Sequence, residues 1–69
     1  MARILLTDSD PAVQELLRGF GHEPVVLDRA RDLAAQVRRA DVVLPDPDSP
    51  IGRRVARIAR AIRARDQPD

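Results

Sequence analysis

The chain contains no cysteine, no lysine, no tryptophan and no tyrosine, and Phe20 is its one aromatic residue. Without cysteine it has neither a disulfide framework nor a thiolate metal site. Without lysine, every mechanism that needs a lysine ammonium group is excluded. Aliphatic residues and alanine must therefore build the hydrophobic core.

Long hydrophobic runs are also missing. No apolar stretch approaches the roughly 18 residues that a membrane span needs, and the N-terminus lacks the features of a signal peptide. With 69 residues, the chain forms one thin domain. We predict a cytoplasmic protein without a membrane partner, with a single domain over residues 1–65 and a frayed tail over 66–69.

Strand and helix patterns alternate three times. Short apolar segments at 2–7, 22–28 and 41–45 predict buried strands, and residues 29–40 and 51–65 predict the second and third helices. Asp10 and Pro11 suit the N-cap and first position of the first helix, and Gly19 and Gly21 suit its end. The alternation predicts an α/β domain with a three-stranded parallel sheet in the order 2-1-3, half of a flavodoxin-like doubly wound domain.

Each predicted helix has one apolar side. Apolar residues recur at helical spacing in the three segments: Val13, Leu16, Leu17 and Phe20; Ala30, Leu33, Ala34 and Val37; Ile51, Val55, Ile58 and Ile62. The last set suits packing onto the sheet, with a partner surface as the alternative. Six of the twelve arginines lie between Arg53 and Arg65. They form either a solvated face or, through Arg53, Arg57 and Arg60, a contact with a nucleic-acid backbone.

Two predicted strands are followed by acidic residues: Asp8 and Asp10 after the first strand, and Asp46 and Asp48 after the third. Parallel sheets place their ligands at the carboxyl ends of the strands, so these four carboxylates are expected to converge. Oxygen ligands of this kind suit Mg²⁺, with all four aspartates as candidate metal ligands. In the alternative interpretation, Asp10 only caps a helix, and Asp46 and Asp48 are turn residues.

The segments RILLTDSDPAVQELL (3–17) and DVVLPD (41–46) resemble the first and third strands of response-regulator receiver domains, the phosphoacceptor modules of two-component signalling. Pro50 and the ending IRARD (62–66) also have counterparts there. The resemblance implies a receiver-like fold, an Mg²⁺ site at the acids after the first strand, and Asp46 at the phosphoacceptor position.

This chain departs from the receiver pattern in several places. It matches about the first three of a receiver's five strand–helix units, so it resembles a truncated, degenerate receiver. Ser9 stands where one acid of the pair is expected, and no lysine is present to neutralise a phosphoryl group. We therefore expect a residual acidic site for Mg²⁺ or phosphate, without efficient phosphorylation of Asp46.

The segment DPDSPIGRRVARI (46–58) is similar to the Asp-x-Asp turn, glycine and helix of Toprim domains. That resemblance implies Mg²⁺-dependent chemistry on nucleic-acid phosphodiesters. Asp8 stands where Toprim domains have a glutamate, and Gly52 lies one residue later than in their pattern.

Three functions remain open from the sequence. The first, which we favour, is a non-enzymatic receiver-like interaction module that binds a protein partner or a second copy of itself, the dimer forming through the exposed edge of the third strand. The second is a Toprim-like, Mg²⁺-dependent enzyme or binder of nucleic acid. The third is a minimised structural scaffold without a site.

Overall fold

The computed structural model describes residues 1–66 and has three strands and three helices in alternation. They are β1 (Arg3–Leu6), α1 (Pro11–Gly19), β2 (Glu23–Val26), α2 (Leu33–Arg39), β3 (Val42–Leu44) and α3 (Pro50–Asp66). The strands form one parallel sheet in the order β2-β1-β3. The predicted α/β class, parallel sheet and strand order are confirmed.

The central strand β1 is buried on both faces, as its apolar sequence predicts. Ile4, Leu5 and Leu6 each expose 6% or less of their surface. Strand β1 is paired with β2 on one side and with β3 on the other, so side chains of both neighbouring strands flank its apolar residues. Full burial of three such side chains contributes about 1.5–3 kcal/mol each to folding.

One face of the sheet carries the hydrophobic core. Helices α2 and α3 contact each other there, and the buried cluster consists of Leu5, Leu27, Val37 and Val55. The predicted apolar side of α3 packs against this cluster, with Ile51, Ile58 and Ile62 around Val55. The apolar residues of α3 are thus used inside the molecule, as the first interpretation of their spacing predicts.

The opposite face is covered by α1 alone, so much of its apolar surface stays exposed. Helix α1 contacts β2 and has no buried residue. The predicted apolar stripe of α1 is therefore only half used: Val13 and Leu17 are partly buried, while Leu16 and Phe20 are exposed. Exposed apolar residues on α1 and this face of the sheet are Leu16 (60%), Phe20 (71%), Val26 (37%), Val42 (39%) and Leu44 (45%).

The second helix is shorter than predicted. It begins at Leu33, and Ala30 lies in the preceding turn, because the Asp28 side chain accepts a hydrogen bond from the Ala30 N–H and Asp32 caps the helix through the Ala35 N–H. Short acidic side chains often compete with a helix in this way. Gln36 closes the turn by bonding the Asp28 backbone N–H and C=O.

Other boundaries lie close to the predicted ones. Helix α1 has Asp10 as N-cap and Pro11 in its first turn, and it ends before Gly21, whose φ of 83° is left-handed. Helix α3 begins at Pro50, with the Ser49 hydroxyl accepting the Gly52 N–H, and runs to Asp66. The rest of the predicted tail, residues 67–69, lies outside the described residues.

The first turn of α3 lies directly against the backbone of Asp46. A Cβ added at Gly52 would lie 1.9 Å from the Asp46 carbonyl oxygen and 2.8 Å from its carbonyl carbon and nitrogen. Backbone cannot move aside as a flexible side chain does. Only glycine therefore allows α3 and the acidic loop to approach this closely.

We expect Gly52→Ala to lower the free energy of unfolding by about 2 kcal/mol or more, since α3 must move off the loop. Urea unfolding followed by circular dichroism measures this. Gly19→Ala is the matched control: no atom lies within 4 Å of its added Cβ. It should be neutral or stabilising by up to about 1 kcal/mol. Equal stability of Gly52→Ala and wild type would contradict the close approach.

Candidate acidic site at the carboxyl edge of the sheet

The acids after β1 and β3 lie at the same edge of the sheet because these strands are parallel neighbours. Thr7, Asp8 and Asp10 from the β1 side and Pro45 and Asp46 from the β3 side line a cavity of about 280 Å³. Its apolar lining comes from Leu6, Val13 and Leu44. The structure thus brings together three of the four aspartates that the sequence singles out, as candidate ligands at one cavity.

Asp8 and Asp46 form the centre of this site. A side-chain hydrogen bond to Asp46 raises the pKa of Asp8 above its ordinary value, and partial desolvation and the negative charge of Asp46 raise it further. Arg29, whose guanidinium lies 3.7 Å from the Asp8 carboxylate, opposes the pKa rise, and Asp10 adds to it slightly. Two carboxyl groups this close retain a proton or attract a cation, because their negative charges repel.

Thr7 holds the loop that carries Asp46. It is the one buried polar residue in residues 1–66, and its hydroxyl oxygen accepts the Asp46 N–H at 3.0 Å. This bond ties the end of β1 to the loop after β3. Thr7 is not among the site residues predicted from the sequence, although a buried hydroxyl group after an apolar strand needs a hydrogen-bond partner.

Asp10 and Asp48 take mainly local roles. One oxygen of Asp10, Oδ1, accepts the backbone N–H groups of Ala12 and Val13 and so caps α1. Asp48 does not line the cavity, and its N–H donates to Asp46 Oδ1 at 2.9 Å. The Asp46–Asp48 pair on which the Toprim resemblance rests is therefore not directed into one cavity.

The donor set fits a cation held by two carboxylates better than one held by four. In the described part of the chain, no three His, Cys, Asp or Glu side chains come together as a metal-binding group. Mg²⁺ needs only one or two carboxylates because water and phosphate oxygens complete its octahedron. Asp8 and Asp46 satisfy that requirement, whereas Oδ1 of Asp10 is already used in its helix cap.

The predicted nucleic-acid contacts lie elsewhere. Arg53, Arg57 and Arg60 line a separate groove of about 520 Å³ along α3, beside the prolines of the acidic loop. This groove and the acidic cavity share only Pro45. The structure therefore divides the predicted residues into an acidic site and a basic one.

The pair geometry predicts a specific titration. In Asp46→Asn, the pKa of Asp8 should fall towards its ordinary value, because the carboxyl group that raises it and its negative charge are both removed. Carbon-detected NMR titration of the side-chain carboxyl measures this. Asp48→Asn should leave the Asp8 pKa unchanged, since Asp48 does not contribute to the shift.

The Asp8–Asp46 pair also determines the direction in which stability should change with pH. A raised pKa in the folded state means that Asp8 favours folding below its unfolded pKa, near about 4, and that this contribution is lost as the pH rises through the folded pKa. The stability of Asp46→Asn relative to wild type should therefore decrease on acidification from pH about 7. An Asp8 pKa that does not differ between wild type and Asp46→Asn would refute the pairing.

Comparison of the chain with protein-family models, with curated proteins and with solved structures gave no significant match. Among residues 1–66, no helix has the length and apolar character that crossing a membrane requires. The receiver and Toprim resemblances therefore depend on the sequence segments quoted above. The acidic cavity and the arginine groove are the structural features that bear on function.

Proposed function

We propose that this chain is a small, non-enzymatic, receiver-like interaction module whose Asp8–Asp46 pair binds Mg²⁺ and whose β3 edge pairs with a second copy of the chain. The observation that carries the proposal is that Asp8 and Asp46 line one cavity at the carboxyl ends of two neighbouring parallel strands. That position is where open parallel sheets bind their ligands.

Mg²⁺ would offset the repulsion between the negative charges of Asp8 and Asp46. Asp8 and Asp46 would each supply one oxygen, and water or a phosphate oxygen would complete the octahedron. Bound there, the cation would supply positive charge for a phosphate group. Arg29 competes with it, since its guanidinium lies 3.7 Å from Asp8. We therefore expect weak binding.

Binding without phosphoryl transfer follows from the composition. Asp46 occupies the position that the receiver resemblance assigns to the phosphoacceptor. The chain has no lysine to pair with a phosphoryl group there, and Arg29 is the guanidinium that reaches Asp8. A fixed acidic pair with a weakly held cation suits a module that binds rather than reacts.

A Mg²⁺ titration tests the acidic site. Adding Mg²⁺ to about 10 mM should shift the carboxyl resonances of Asp8 and Asp46 and leave that of Asp28, on the loop after β2, unchanged. Asp46→Asn should weaken binding about tenfold or more, because one of two charged ligands is lost. Arg29→Gln should strengthen it by removing the competing cation.

Asp48→Asn is the matched control for Asp46→Asn. It removes one negative charge from the same loop, but Asp48 lies outside the cavity. Equal weakening by the two variants would mean diffuse attraction to the loop rather than a site. If the carboxyl resonance of Asp8 does not shift at about 10 mM Mg²⁺, the proposed site is refuted and the alternative of a structural scaffold without a site is favoured.

The edge of β3 supports pairing with a second copy. Strand β3 has β1 on one side only, and its other edge exposes unpaired backbone groups. Val42 and Leu44 also remain 39% and 45% exposed on the face that α1 leaves open. A two-fold axis through the sheet would pair the two β3 strands antiparallel and give one six-stranded sheet. Both side chains would then pack against the partner copy.

Sedimentation equilibrium should show a dimer at about 100 μM chain that dissociates on dilution, since short strands bury limited area. Val42→Glu should give a monomer with an unchanged circular dichroism spectrum, because the new charge lies in the interface. Val26→Glu is the matched control on the other edge strand, where Val26 is similarly exposed (37%). A concentration-independent monomer, or equal loss in both variants, would exclude pairing through β3.

A further inference from the structure

The charges of the chain are divided between two regions. Residues 1–49 contain nine acidic residues and six arginines, whereas α3 contains six arginines and one acidic residue, Asp66. A net charge of +1 for the whole chain hides this separation. Strong asymmetry of this kind points to an anionic partner for one region of a protein.

Three of these arginines converge on one groove. Arg53, Arg57 and Arg60 lie at i, i+4 and i+7, within about 60° on the helix surface. With Pro45, Pro47 and Pro50 they line a groove of about 520 Å³. No acidic residue lines this groove. Among the side chains of residues 1–65 these arginines form no ion pair, and the three ion pairs found there involve Arg3, Arg29 and Arg31.

From this geometry we infer that the groove between α3 and the proline-rich loop, lined by Arg53, Arg57, Arg60, Pro45, Pro47 and Pro50, binds the phosphodiester backbone of single-stranded nucleic acid without sequence preference. The inference goes beyond the proposed function and does not depend on the Asp8–Asp46 pair, because the groove and the pair lie in different cavities.

The spacing of the arginines suits a backbone with regular charges. Along the helix axis the three residues are separated by about 6 Å and about 4.5 Å. Guanidinium groups bind phosphate oxygens in a bidentate fork, which a lysine ammonium cannot do. Three arginines in a row can therefore each contact a phosphate of one strand.

The walls of the groove favour nucleic acid over an acidic peptide. A bound peptide needs partners for its own backbone, but prolines have no N–H, and the N–H groups of Gly52 and Arg53 already donate to Ser49. A phosphodiester strand needs only cationic donors and an apolar surface for its sugars. The proline rings supply that surface.

The size of the groove favours a single strand over a duplex, and the composition of the chain favours contacts with the backbone over contacts with the bases. A concave site of this volume is comparable to small-ligand pockets and takes a flexible single strand more readily than a rigid duplex. The one aromatic residue, Phe20, is the C-cap of α1 and does not line the groove, so no aromatic platform stacks the bases. Recognition is therefore of the backbone, and strongly salt-dependent.

Fluorescence anisotropy with a labelled 12-nucleotide oligodeoxythymidylate tests the inference. With three phosphate contacts, log K should fall against log salt with a slope of about −2, or about 20-fold between about 50 and 200 mM salt. The dissociation constant should lie at about 10⁻⁴–10⁻⁶ M. The triple variant Arg53→Gln, Arg57→Gln, Arg60→Gln should lose most of both the affinity and the slope.

The matched control is Arg54→Gln, Arg63→Gln, Arg65→Gln, which removes the same charge from the same helix outside the groove. It should keep a slope of about −2. Equal losses in the two triple variants would overturn the inference in favour of diffuse attraction, as would no binding at about 50 mM salt. Circular dichroism confirms that both variants are folded.

Competition and NMR measurements test the class of ligand and the location of its site. A 12-residue polyglutamate that competes as well as the oligonucleotide would overturn the inference in favour of an acidic protein, and an equally effective duplex would overturn the single-strand assignment. On the wild-type protein, amide shifts should concentrate in residues 45–60. Asp46→Asn should retain binding, which separates this inference from the proposed Mg²⁺ site.

Discussion

The contacts of the Asp46 backbone with Thr7 and Gly52 determine how the part of the molecule that carries the two candidate sites is arranged. On one side, the Thr7 hydroxyl accepts the Asp46 N–H, which ties the loop to the central strand. On the other, Gly52 lets the first turn of α3 lie against the same residue. Because Asp46 is held from both sides, its carboxyl group reaches Asp8. The same loop then forms a wall of the arginine groove.

The two faces of the sheet differ in how well they are covered, and this explains where the molecule is open. Helices α2 and α3 share one face and enclose the core around Leu5 and Val55. Helix α1 covers the other face alone and leaves Leu16, Phe20 and both residues at the ends of β3 exposed. A small chain has few elements to distribute, so covering one face fully leaves the other partly bare. Pairing of β3 edges would cover part of that surface.

The acidic pair and the arginine groove of α3 lie in different cavities. The acidic pair lies at the carboxyl edge of the sheet, and the arginine groove lies along α3 on the far side of the proline-rich loop. Pro45 and Pro47 in the loop and Pro50 at the start of α3 have restricted backbone angles, which stiffens the wall between the two sites. The two proposed ligands, a cation and a phosphodiester backbone, would therefore bind at neighbouring parts of one small domain.

The sequence alone determined the alternation of strands and helices, the burial of β1, the Asp10 cap and the apolar side of α3, because each depends on local periodicity or on nearest neighbours along the chain. It also placed Asp8 and Asp46 at the same edge, since parallel strands end together. Only the tertiary structure decided that Asp48 lies outside the cavity, that α2 begins at Leu33, that Leu16 and Phe20 remain exposed, and that Thr7 and Gly52 hold the acidic loop. These features depend on contacts between residues far apart in the chain, where one hydrogen bond or one missing Cβ determines the position of a whole loop.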